Sequence, residues 1–165
     1  LESVPEQIID YIRKAYQDAN RGLQVKNDDL EKLIRFMKSA RNRTDSFVIY
    51  QGQNESKRVI GTASLVYSYG AEEKLAVESI VPNFTIDRKG LLPVVEISRY
   101  ALDFSARRTL TSSKFLRLAY YATTASPIQK VVAFCEEEFA QAVIQDSKGA
   151  FKAVDKEIRF DGKRY

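Results

Sequence analysis

Between Val94 and Asp103 the chain runs Val-Val-Glu-Ile-Ser-Arg-Tyr-Ala-Leu-Asp, an apolar, strand-like stretch with a carboxylate, a hydroxyl and a guanidinium in its interior. Such groups are costly to bury unless each is paired or hydrogen-bonded, so any fold of this chain must supply partners here. With the two-residue period of a strand, Glu96, Ser98 and Tyr100 share one face, and Ile97, Arg99 and Ala101 share the other. Two readings are open: an internal Glu–Arg pair bridging neighbouring strands, or a functional site in the C-terminal half of the strand.

Composition narrows the chemistry. A length of 165 residues with 44% hydrophobic content, nine Tyr and nine Phe suits a single domain over residues 1–165 with a substantial core. No run reaches the roughly 18 apolar residues of a membrane span, and Leu1-Glu2-Ser3-Val4-Pro5 lacks the basic-then-apolar order of a signal peptide, so a cytoplasmic protein is expected. The chain has one cysteine, Cys135, and no histidine, which rules out an internal disulfide and argues against metal hydrolysis and Ser/Cys–His catalysis; no metal is expected. Catalysis would rest on carboxylates, hydroxyls, Tyr, Lys, backbone dipoles or proximity. A net charge of +4 favours an acidic partner but falls short of a dedicated nucleic-acid binder.

Read in order, residues 5–20 form an amphipathic helix with Ile8, Ile9, Ile12, Ala15, Tyr16 and Ala19 at helical spacing. Residues 28–41 form a second, with Leu30, Leu33, Ile34 and Met37 inward and Lys32, Arg35, Lys38 and Arg41 outward. Phe47–Tyr50 and Val59–Tyr67 read as a hairpin around the polar turn 52–56. The apolar stretch Val77–Val81 precedes the strand that starts near Pro93, making three or four strands. A basic, hydroxyl-rich loop over 105–113 leads into a helix over 113–125, and its Arg107, Arg108 and Lys114 lie where free N–H groups at a helix start would meet an anion. Lys130–Cys135 is a strand, Glu136–Lys148 a helix stopped at Gly149, and Phe151–Val154 and Glu157–Phe160 two closing strands. The order predicts an α+β fold: a mixed, mostly antiparallel central sheet flanked by helices, turning parallel through a β-α-β unit in its second half.

That order, with Glu96-Ile97-Ser98-Arg99-Tyr100 in the central strand, resembles the GNAT-type N-acyltransferases, and within them the acyl-homoserine-lactone synthases and N-acyl amino acid synthases. The resemblance covers most of the chain, short of a first strand that would precede residue 1. Supporting marks are Arg13 and Tyr16, Asp45, Gly61 with Leu65, and Pro82 with Phe84. Ser64 stands where lactone synthases carry Arg, Thr111 and Ser113 where the phosphate loop of GNAT enzymes carries small or glycine residues, and the helix over 137–148 has no Tyr to protonate a leaving thiolate, Cys135 being the nearest substitute.

The resemblance implies transfer of a fatty acyl group from an acyl-thioester to the amine of a small molecule such as an amino acid. The donor would be acyl-phosphopantetheine on acyl carrier protein, or acyl-coenzyme A, with no cofactor bound permanently. Glu96, Ser98 and Arg99 become the catalytic set. Tyr100, Leu102, Arg107, Arg108, Thr111, Ser112, Ser113 and Lys114 become donor-binding positions, and Arg13, Tyr16, Asp45 and Phe84 acceptor-side positions. A coenzyme-A-dependent short-chain N-acetyltransferase and a non-catalytic GNAT-like ligand-binding module are the alternatives.

Overall fold

The computed structural model describes residues 27–52, 58–81, 83–88, 90–102, 104–125, 127–135, 137–154, 159–160 and 163–164, without the side chains of 27–30, 33, 99–102, 104–111, 125 and the last two pairs. The helix expected over 5–20 lies outside these residues. Helix α1 (Asn27–Ser39) leads through a short 3-10 turn into β1 (Thr44–Gln51) and β2 (Arg58–Ser68). Helix α2 (Ala76–Ile80) precedes β3 (Val94–Leu102), and α3 (Phe104–Ala125) carries the chain to β4 (Lys130–Ala133) and α4 (Glu137–Asp146). A small hairpin of β5 (Arg159–Phe160) and β6 (Lys163–Arg164) comes last.

The main sheet has the order β1-β2-β3-β4. The first two pairings are antiparallel and β3–β4 is parallel, joined by α3 as the β-α-β crossover that the sequence predicts. Alternation in β2 and β3 gives the sheet two unlike faces. Leu65, Tyr67, Val95 and Ile97 turn towards α3 and α4, where Phe115, Ala119, Ala122 and Val143 complete one core. Val66 and Val94 turn the other way, towards Phe36 and Ala40 of the α1 end and Leu75, Ala76 and Val77 of α2. Burying each large apolar side chain contributes about 1.5–3 kcal/mol. In α1, Ile34 and Met37 are buried as expected, and Lys32, Arg35 and Lys38 are exposed.

Three sequence expectations change. Val77–Val81 is mostly helical, because Glu78 reaches back to accept the Leu75 N–H at 2.8 Å and closes a turn that β-branched residues alone would not favour. The loop expected over 105–113 is helix: α3 starts at Phe104, one residue after β3, and the hydroxyl-rich residues lie inside it. Phe151–Val154 is not a strand, although Phe151 packs edge-on against Phe115 at 5.9 Å. Residues 155–158 lie outside the described residues, and Arg159–Phe160 pairs with Lys163–Arg164 instead.

A buried ion pair fixes α2 and the segment after it. Arg88 Nη1 donates to Glu78 Oε1 at 2.7 Å and Nη2 donates to Glu78 Oε2, while Nε reaches Ser68 Oγ at 3.2 Å. Glu78 also accepts the Ile86 N–H at 2.8 Å. Burial pushes the Glu78 carboxyl up, but the Arg88 guanidinium and the Leu75 and Ile86 N–H groups outweigh it and hold the carboxyl below its ordinary value. Arg88 is held protonated by Glu78 first, against its own burial, with Glu96 adding to the effect.

Arg88→Met leaves Glu78 buried without its counter-ion and should cost about 3–5 kcal/mol in urea unfolding; an unchanged midpoint would contradict this account. Because Glu78 has a lowered folded pKa, its contribution is complete above the ordinary carboxylate range and is lost as pH falls below about 4. Glu78→Gln should therefore be less stable at neutral pH and lose less stability on acidification than the wild type.

Candidate active site

Strand β3 is held differently on its two sides. Towards β4, pairing covers Val94–Ile97 against Lys130–Ala133 and ends there, while β3 continues to Leu102. Towards β2, Thr62 faces Ala101 and Ser64 faces Ser98, so Arg99 and Tyr100 together oppose Ala63 alone. This is a β-bulge, an extra residue that bends a strand and re-aims the residues beyond it. The bulge thus sits just past the point where β4 departs, and among the described residues no strand pairs with Ser98–Leu102 on that side. It also breaks the register that a regular alternation implies: Ala101, not Tyr100, stands opposite Thr62.

Glu96 is 2% exposed, and its Oε2 accepts the N–H of Val77 at 3.1 Å, so the carboxylate anchors the first turn of α2. Its neighbours across the sheet are Val66 on β2 and Val132 on β4. Ser98 is 7% exposed on the same face. Opposite it is Ser64, whose Oγ lies 3.3 Å from Ser46 Oγ of β1. Buried Thr62 extends the polar strip. Sequence reasoning noted Ser64 only as a departure from a motif; the hydroxyls at Thr62, Ser64 and Ser68, at even spacing, were the available signal for a polar face on β2.

The other candidate positions divide. Asp45 faces Leu65 and therefore lies on the opposite side of the sheet from Glu96. There it accepts the Tyr67 hydroxyl at 2.8 Å, and burial, reinforced by Asp45, pushes the Tyr67 phenol well above its ordinary value. Phe84 packs on the Glu96 side, against the core formed with α1 and α2. Arg13 and Tyr16 lie outside the described residues. Arg99, Tyr100 and Leu102 lie on β3, and Arg107, Arg108 and Thr111 within α3, at positions whose side chains are not described. Ser112 donates to Asp146 of α4, Ser113 is exposed and Lys114 half-buried, so this stretch partly ties two helices together rather than forming a loop around an anion. α3 begins at Phe104, one residue beyond the end of β3 at Leu102, and its first turn carries free N–H groups.

An apolar cavity of about 550 Å³ runs along β4. Phe84, Phe115, Phe134 and Phe151 line it, and its wall includes Ala133 and the half-buried Cys135, at the place where β4 parts from β3. Val132, the cross-strand neighbour of Glu96, is also part of its wall. The size is that of a small-molecule site.

No protein-family model matches the sequence, and no curated protein matches it. Solved structures do. An acetyltransferase from Trypanosoma brucei aligns with a TM-score of 0.56 at 14% identity, covering 96% of both chains. A predicted acetyltransferase from Clostridium acetobutylicum, solved with acetyl-CoA, aligns with a TM-score of 0.57 at 10% identity, over 94% of this chain and 88% of its own. The AAC(6')-Iy structure, in complex with a bisubstrate analogue of coenzyme A and acetylneamine, gives 0.54 at 14% identity, over 94% and 91%. The fold is therefore that of the GNAT acetyltransferases.

Proposed function

We propose that this chain is a one-domain N-acyltransferase that moves an acyl group from a thioester to the amine of a small molecule. The observation that carries the reading is the end of the β3–β4 pairing at Ile97, beyond which no described strand pairs with β3 on that side, next to a bulge and a helix start. An extended arm with amide groups, such as phosphopantetheine, can add to such an edge by backbone hydrogen bonds. Its phosphate then meets the N-terminus of α3, and an N–H beyond Tyr100 is available to the thioester oxygen. The amine attacks the thioester carbonyl, the tetrahedral oxyanion collapses with cleavage of the C–S bond, and the proton lost by the nitrogen as it becomes an amide balances the thiolate that leaves as the donor thiol.

In this reading Glu96 attracts the ammonium form of the acceptor and takes its proton directly or through water; Arg99 fixes Glu96 or grips an acceptor carboxylate, as with an amino acid. No helix of the described residues is long and apolar enough to cross a membrane, and we place the reaction in the cytoplasm, where both thioester donors are made. The phenylalanine-lined cavity, whose wall includes Ala133 and Cys135 where the β3–β4 pairing ends, supports a fatty rather than an acetyl chain. A short-chain, coenzyme-A-dependent acetyltransferase is the second reading, favoured by the acetyl-CoA and coenzyme A analogue in the similar structures.

Glu96→Gln retains an acceptor oxygen for the Val77 N–H and so should fold. Its turnover should fall by about 10²–10⁴ while donor binding persists. Wild-type turnover in the folded variant would remove Glu96 from the chemistry.

The donor readings separate in a direct contest. Carrier protein presents one phosphodiester and an acidic surface, which Arg107, Arg108 and Lys114 suit. Matched acyl chains on acyl carrier protein should therefore outperform those on coenzyme A, with rates that fall as salt rises. Faster use of acetyl-coenzyme A than of any long-chain donor would establish the second reading instead.

A further inference from the structure

Ser98 is a buried hydroxyl, 7% exposed, and among the described residues its Oγ has no hydrogen-bond partner. Buried polar groups are nearly always satisfied, so one without a partner calls for an explanation, and a bound group is one. Three facts say what kind of group. Ser98 faces Ser64 directly across the β2–β3 pair, yet no hydrogen bond joins them, so a small polar group can bridge the two hydroxyls. Ser64 in turn is linked to Ser46, which makes a row of three hydroxyls across β1, β2 and β3. The adjacent row on the same face carries the Glu96 carboxylate.

The described cations near this face are already committed. Arg88 is taken up by Glu78, Ser68 and the carbonyls of Glu73 and Ile86, and Arg43 by the carbonyls of Tyr67 and Lys74. A hydroxyl row both donates and accepts, so it recognises a neutral group that does the same, namely another hydroxyl. Side chains two apart on a strand stand about 6.6 Å from each other. With one hydrogen bond at each end, an amine and a hydroxyl on adjacent carbons span that separation.

We propose that the acceptor is a β-hydroxy amine, an amino alcohol or a β-hydroxy amino acid, whose amine meets Glu96 and whose hydroxyl is held by Ser98 and Ser64. This rests on the acyltransferase reading for the fate of the amine, but not for the recognition of the hydroxyl. Ser98 and Ser64 are thus specificity-determining positions, and Ser64 is the residue that replaces the Arg of lactone synthases.

The test uses acceptor pairs that differ only in the hydroxyl: serine against alanine, and ethanolamine against ethylamine. The wild type should favour the hydroxylated member by about tenfold or more in kcat/KM, because a site built around a hydroxyl leaves its own polar groups unpaired when the ligand lacks one. Ser98→Ala should bring the ratio close to one, and Ser98→Thr, which keeps a hydroxyl, should restore it. A purely structural role for Ser98 would change overall activity without moving the ratio. Calorimetric titration of serine and alanine into the free protein reads the same preference without turnover. Acylation of both members at equal rates, a ratio that survives in Ser98→Ala, or equal binding of serine and alanine overturns the proposal. Serine-selective binding that is lost in Ser98→Ala upholds it even if no amine is acylated, a result that would overturn only the acyltransferase reading.

Discussion

Two residues of β3 facing one residue of β2 is the constraint on which the rest of this structure turns. A regular ladder would have carried Ser98–Leu102 onward in step with β2, and β4 would have had a straight edge to run along. With Arg99 and Tyr100 set against Ala63, β3 bends close to its last partner on β4, and among the described residues no strand continues beside it on that side. The bend costs little stability because both faces of β3 before it are closed by apolar layers, with Val95 and Ile97 towards α3 and Val94 towards α2. The chain then enters α3 after a single residue, which brings a helix N-terminus to the same place.

The carboxylates on the other side of the sheet form a second constraint. Glu96 binds the N–H of Val77, Glu78 binds the N–H of Leu75, and both act on α2, a helix too short to persist on its own. Glu78 is paired with Arg88, which Glu96 also helps to keep protonated. The position of Glu96 is therefore set by the same network that holds α2 and the 84–88 segment in place. Folding and the proposed chemistry are coupled here: the carboxylate proposed to meet an amine is oriented by a hydrogen bond whose first effect is on folding.

Much of this was legible in the sequence, for physical reasons that differ by element. The hairpin of β1 and β2 and the central strand β3 reflect two-residue alternation, and the polar groups of β3 drew attention because their burial needs an explanation. The crossover to β4 reflects an amphipathic helix between two apolar runs. The bulge was invisible, since alternation assumes the register that the bulge breaks. The start of α3 was misplaced because Ser105, Thr109, Thr111, Ser112 and Ser113 favour caps and turns locally, a preference overridden once Phe115, Ala119 and Ala122 dock on the sheet. The helix at Val77 depends on Glu78, Glu96 and Arg88 meeting from three distant segments, which no local pattern encodes.

The central claim is that the edge released by β4 receives the arm of an acyl-thioester. Backbone NMR during titration with a non-cleavable acyl-pantetheine thioether tests it most directly. The account predicts chemical-shift changes concentrated in the amides of Ser98–Leu102 and in the first turn of α3 from Phe104. Saturable binding that shifts residues elsewhere, on α1 or the β1 edge, while the amides of 98–104 stay in place would contradict it.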